Sequence, residues 1–182
     1  MRHLLAVLAL SLALPALARD VAGVAVPESA TVGDKALVLN GAGLRSRFFV
    51  KVYVGALYLE RRSADPTAII AADQAWKVTM TFKREVEKKQ ILGAFKEGFE
   101  NNSRADLDKL LPGLAQLDAV MKDLKAGDVL EIAYLPGTGS TVTGPGGVSA
   151  TVEGKVFAAA LLRNWLGEKP ADGDLKSGML GK

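Results

Sequence analysis

From residue 19 onward, the hydrophobic positions of the chain switch between a spacing of two and a spacing of three to four, and each switch marks an element. After a short entry segment at 21–26, residues 35–40 are an apolar, β-prone stretch. It runs into Gly41-Ala42-Gly43, where the backbone can bend or approach another segment closely. Residues 48–59 are dense in Phe, Val, Tyr and Leu and predict one long strand, apolar on both faces and so central and covered on two sides. At period two, Arg45, Arg47, Phe49, Lys51 and Tyr53 share a side, provided that no turn falls between them; 43–47 is itself a candidate hairpin turn. Residues 75–82 predict another strand, with Trp76, Val78, Met80 and Phe82 on one face and Lys77, Thr79 and Thr81 on the other.

Helical spacing appears in four places. Asp65-Pro66 is an N-cap followed by proline at the first helical position, opening a short helix through Ala72. Over 86–99, Leu92, Phe95 and Phe99 form a stripe with Ile91 beside it, and charged residues occupy the remainder. A cap region at 103–106 precedes a helix carrying Leu107, Leu110, Leu114 and Leu117, which Pro112 is expected to kink or divide. Residues 129–134 and 140–152 then predict a strand and a β-hairpin, separated by a turn at 136–139. Phe157, Leu161, Leu162 and Trp165 mark a last helix that stops at Gly167. Residues 172–182 read as a short polar tail with room for one helical turn. Strands, paired helices, strands and a closing helix, without a repeating βαβ unit, predict an α+β fold: a large antiparallel sheet with helices packed on one face.

Ahead of these elements, Arg2 and His3, an apolar run over 4–14 and Ala16-Leu17-Ala18 form the pattern of a secretory leader, residues 1–18. Pro15 interrupts the run, which is shorter than the roughly 20 residues of a spanning helix. The expectation is a cleaved, exported chain with one domain over 19–182, in the periplasm and without a transmembrane segment in its mature form. Cysteine is absent and the single histidine, His3, leaves with the leader. That excludes a thiol nucleophile, a Ser-His-Asp relay, a His or Cys zinc site and a histidine base. A net charge of +3, with acids interspersed among the bases, gives no nucleic-acid footprint. Gly41-Ala42-Gly43 lacks the third glycine of a dinucleotide fingerprint and is followed by a strand, so no nucleotide cofactor is expected. Lys83, Arg84, Lys88 and Lys89 form a basic cluster, read as a solvated face with contact to anionic lipid headgroups as the alternative; Glu85 and Glu87 dilute it.

The segment Leu39-Asn40-Gly41-Ala42-Gly43-Leu44-Arg45, followed by Phe49-Val50-Lys51-Val52-Tyr53-Val54-Gly55-Ala56-Leu57-Tyr58-Leu59-Glu60, resembles the opening strands of the chalcone isomerase-like family. The later strand, the two central helices and the closing helix fit the same order. The resemblance implies an open-faced β-sandwich with a ligand cleft between sheet and helices. Plant members cyclise chalcones, and related members without that activity bind fatty acids. The family's arginine falls on Arg45, which could stabilise an oxyanion or pair with a carboxylate, and Arg47 is the substitute if the register is shifted by two. A threonine of the plant enzymes is replaced by Tyr53, whose hydroxyl could donate a similar bond while its bulk shortens the cleft. A tyrosine and an asparagine of the plant enzymes fall near Lys89 and Lys96 and are not retained. The substrate-contacting pair of the last helix falls on Asn164, a candidate ligand donor, and Trp165, read as a core residue.

The leading expectation is a monomer that binds a small amphipathic or aromatic ligand, fatty-acid-like, through Arg45, Arg47, Tyr53 and Asn164, with no cofactor and no metal. The alternative is an intramolecular lyase of chalcone type acting on an unsaturated ketone, with Arg45 and Tyr53 as catalytic residues. A third reading, an interaction module of the cell envelope, would be favoured by a cleft filled by its own side chains, Tyr53 and Trp165.

Overall fold

The computed structural model describes residues 18–182, and in it the period-two segments become strands. The expected leader at 1–18 lies outside the described residues, except for Ala18, which opens the first strand. β1 (Ala18–Val21) and β2 (Val24–Pro27) form a separate hairpin. β3 (Ser29–Val32), β4 (Lys35–Arg47), β5 (Val50–Leu59), β6 (Trp76–Phe82), β7 (Val129–Leu135), β8 (Gly139–Thr143) and β9 (Ser149–Val152) make one sheet in chain order. Every neighbouring pair in it is antiparallel, although the β5–β6 and β6–β7 connections carry helices. The helices are α1 (Pro66–Ala71), α2 (Lys88–Asn102), α3 (Leu107–Val120), α4 (Lys155–Leu166) and α5 (Gly173–Met179). None of the described helices is long and apolar enough to cross a membrane.

Alternation decides which face of the sheet meets the helices. Trp76, Val78, Met80 and Phe82 of β6 are buried in one core with Ile91, Phe95 and Phe99 of α2 and Phe157, Leu161 and Trp165 of α4. Strand β5 is covered on both sides, as its unbroken apolar run predicts. Tyr53, Leu57 and Leu59 join the helical core, while Val54, Ala56 and Tyr58 pack with Leu37, Leu39 and Val26 beneath the N-terminal hairpin.

The turn between β4 and β5 differs from both expectations. Residues 43–47 continue β4, and the reversal falls on Phe48 and Phe49, between the paired residues Arg47 and Val50. Both phenylalanines have positive φ, 49° and 65°, the geometry of a two-residue hairpin turn whose twist matches the strands. Asn and Gly are the residues that ordinarily adopt it, so the sequence carried no turn signal there. Arg45 and Arg47 therefore lie on β4, and Lys51 and Tyr53 on β5. Arg45 and Tyr53 do share a face, but as cross-strand partners and not as members of one strand.

Two further expectations change. Helix α3 runs through Pro112 undivided, because the carbonyl left without a donor belongs to Asp108 in the exposed first turn, where water can meet it. The tail is part of the fold: Leu175, Met179 and Leu180 are buried, and α5 lies against β4. Gly41 and Gly43 are what admit it. A Cβ on Gly41 would fall 2.8 Å from Gly181 N and 2.9 Å from Met179 O, and one on Gly43 would fall 3.2 Å from Leu175 Cα. Asn40, the extra residue in a bulge of β4, donates to Ser63 O at 2.9 Å and to Met179 O at 2.8 Å, tying the strand to the end of α5.

Candidate functional site

The turn end of the β4–β5 hairpin, the ends of α2 and α4 and the loop after β6 enclose a cavity of about 260 Å³. Its inner wall is apolar: Met80 and Phe82 from β6, Ile91 and Phe95 from α2, and Trp165 from α4. A second cavity of about 200 Å³ adjoins it and shares Arg45, Arg47, Ala94, Asn164 and Ala171. Together they reach the size range of small-molecule sites, roughly 300–1,000 Å³. The loop that closes this end is held by Asn102, which donates to Lys169 O at 2.8 Å and accepts from Lys169 N at 2.9 Å.

Arg45 is half-buried, and its guanidinium carbon sits 5.7 Å from the centre of the Tyr53 ring. The buried Arg45 Nε has no hydrogen-bond partner. None of the ion pairs among the described residues includes Arg45, Arg47 or Arg84, so no carboxylate pairs directly with these charges. Asn164 is 4% exposed, and both its Nδ2 and its Oδ1 lack partners. Its carboxamide occupies space that any Cβ at Gly98 of α2 would overlap. Such orphaned polar atoms are rare in folded proteins, and two residues bearing them line the same cavities.

Tyr53 is oriented by one bond: Trp165 Nε1 donates to its hydroxyl at 2.9 Å. The tyrosine's own proton is unspent, since no described acceptor takes it. Burial pushes the phenol up to about 12, against the opposing pull of the Arg45 guanidinium and of the Trp165 bond, with Asp172 adding a smaller upward push. Across neutral pH it is a neutral donor. Asp172 itself accepts from Ser46 N at 3.1 Å and from Leu175 N at 3.0 Å, so the cap of α5 also pins the outer end of β4.

All four expected ligand residues, Arg45, Arg47, Tyr53 and Asn164, line one cavity. Trp165 is a core residue, 2% exposed, and also borders the cavity. The cleft is not filled by Tyr53 and Trp165, which form its wall. Lys89 and Lys96 are turned away: Lys89 pairs with Glu87 at 2.8 Å and Lys96 with Glu100 at 3.8 Å, outside the lining. Sequence reasoning did not assign Arg84 and Phe82 to this site: Phe82 read only as the last residue of an alternating strand, and Arg84 as one of a basic cluster on a solvated face.

A curled antiparallel sheet carrying its helices on one face, with a cavity at one end between them, defines an α+β fold of the chalcone isomerase type. Residues 18–181 match the chalcone isomerase-like family, and the chain belongs to it. Among solved structures, a fatty-acid binding protein of Arabidopsis thaliana is similar, with a TM-score of 0.69 and 19% identity over 87% of this chain and 92% of that one. At that identity the likeness is one of fold. No curated protein matches the chain by sequence.

Proposed function

We propose that this is an exported, periplasmic protein that binds a fatty acid or a similar amphipathic carboxylate between sheet and helices. The carboxylate lies at Arg45 and Tyr53, with Arg47 at the mouth and Asn164 bonding a polar group of the ligand. The acyl chain runs along Met80, Phe82, Ile91 and Phe95. The observation that carries this reading is the set of orphaned atoms, Arg45 Nε and both amide atoms of Asn164, on two residues that line both cavities, the first of them walled by apolar side chains. A buried polar group without a partner costs about 1–3 kcal/mol, which a carboxylate ligand would offset at the donors Arg45 Nε and Asn164 Nδ2. The neutral Tyr53 hydroxyl supplies a second donor, and the fatty-acid binding protein of the same fold supports the ligand class. The leader pattern of residues 1–18 supports export.

Native mass spectrometry of gently purified protein, with solvent extraction, tests it. A stoichiometric fatty acid, or uptake of added oleate, is the expected result; an empty protein that takes up no oleate overturns the reading. A second reading, lyase chemistry on an unsaturated ketone, draws on the same convergence of Arg45 and Tyr53, which could stabilise an oxyanion. Tyr53 stays protonated at neutral pH and serves there only as a donor, so the attacking phenolate would be the substrate's own. Chalcone cyclisation faster than in buffer, abolished by Arg45→Met, would favour it; a rate equal to buffer removes it.

A further inference from the structure

The side chains at the tip of the β4–β5 hairpin stand outside the hydrophobic core. Phe49 is fully exposed, Phe48 is 85% exposed and Val50 is 44% exposed. Both phenylalanines sit in the left-handed region at positions where Asn or Gly would be at ease. Large apolar side chains that are strained and solvated at once point to a partner outside the chain. The surroundings are cationic: Arg47 and Lys51 flank the tip on its own strands, Arg45 lies further along β4 beyond Arg47 and Ser46, and Arg84 joins Arg45 and Arg47 in the cavity lining. Glu85 is the one carboxylate in the cavity lining among the described residues. The basic cluster of the sequence divides here. Lys88 pairs with Asp118 at 2.7 Å, Lys89 with Glu87 at 2.8 Å, and Lys83 donates to Ala22 O at 3.2 Å, which leaves Arg84 at the mouth.

We propose that this hairpin tip docks the protein on an anionic phospholipid bilayer, with the cavity mouth against the lipid. Exposed aromatic side chains ringed by cations are the combination that partitions into a headgroup interface, each basic residue adding attraction to anionic lipid. Phe48 and Val50 also line the cavity, so insertion of the tip brings its apolar wall into line with the acyl layer. Docking in this pose deepens the reading of the cavity as a fatty-acid site, because the bilayer is then where the ligand is exchanged. The contact with lipid does not itself require a ligand.

The test uses the mature protein with vesicles of phosphatidylcholine, alone or with about a third phosphatidylglycerol. Wild type is expected to co-sediment with the anionic vesicles and to be released as salt shortens the screening length. Phe49→Asn, which suits the turn and lies outside the cavity lining, is expected to weaken partitioning about ten-fold or more. The indole of a Phe49→Trp variant is expected to shift blue on anionic vesicles and to be quenched by brominated lipid, over a steady background from the buried Trp76 and Trp165. Wild type that stays in the supernatant, as it would if the tip served a protein partner, overturns the proposal, as does Phe49→Asn that sediments like wild type. Oleate binding in vesicle-free buffer separates the two readings: if it is absent while vesicle binding holds, the proposed function fails and the docking surface stands.

Discussion

Replacing Tyr53 by phenylalanine removes one oxygen and touches two interactions. In the folded chain that oxygen accepts the Trp165 indole N–H at 2.9 Å, with the two residues 4% and 2% exposed. Tyr53→Phe therefore leaves a buried donor without an acceptor, a loss of about 1–3 kcal/mol. Both residues border the cavity, so water can partly satisfy the indole, which puts the loss nearer the lower end. For a domain of this size each kcal/mol lowers Tm by about 2–4 °C, so a drop of a few degrees is expected in a thermal melt. The ligand loses a donor as well. A hydrogen bond to a carboxylate contributes about 1.5–3 kcal/mol, so oleate affinity should fall about 10- to 150-fold when read by displacement of a fluorescent fatty acid. A variant that melts like wild type shows that the Tyr53–Trp165 bond adds nothing to stability. One that melts lower yet binds oleate unchanged shows that the hydroxyl does not face the carboxylate.

Arg45→Met keeps the stem over the Tyr53 ring and removes the guanidinium; oleate affinity should fall about 10- to 150-fold while Tm holds or rises, because the lost Nε had no partner. A loss of stability with unaltered affinity would make Arg45 a structural residue. Gly178→Ala should destabilise by about 1–3 kcal/mol in a denaturant titration, since its Cβ would fall 2.6 Å from Ala42 O and 2.9 Å from Gly43 Cα. Helix propensity alone predicts the opposite sign, a gain of about 1 kcal/mol, so a more stable variant would refute the close packing of α5 on β4. All three tyrosines are pushed up to about 12, burial being the largest cause for each. The folded state therefore holds these protons after the unfolded chain has released its own near pH 10. Their contribution to stability is full below that pH and is lost as pH rises toward about 12. Tyrosinate absorbance at about pH 10.5 should stay low until the protein unfolds, and full ionisation of native protein there would contradict the burial.

Much of the architecture was legible along the chain. The alternation of Trp76, Val78, Met80 and Phe82 located β6 and its buried face, and Asp65-Pro66 located the start of α1, where Asp65 accepts from Thr67 N and Ala68 N. The glycine that stops α4 and the apolar stripe of α2 were legible for the same reason: their signals are local and repeat at the period of the element. The tail was not, because Gly173 and Gly178 are poor helix formers and only Leu175, Met179 and Leu180 are apolar enough to pack. Its order comes from contact with Gly41 and Gly43, far away in sequence.

The sequence by itself determined the α+β class, the central position of β5, the absence of histidine chemistry beyond residue 3, and the choice of Arg45, Arg47, Tyr53 and Asn164 as candidates. Only the tertiary structure decided how they meet. Periodicity specifies which way a side chain points within one element, but not where the chain reverses or which distant segment packs on it. The reversal at Phe48-Phe49 moved Arg45 onto the strand beside Tyr53 and left two phenylalanines at the cavity mouth. The packing of α4 on α2 and the sheet then brought Trp165 to the Tyr53 hydroxyl and left Arg45 and Asn164 without partners, a property of three-dimensional neighbours that no spacing along the chain records.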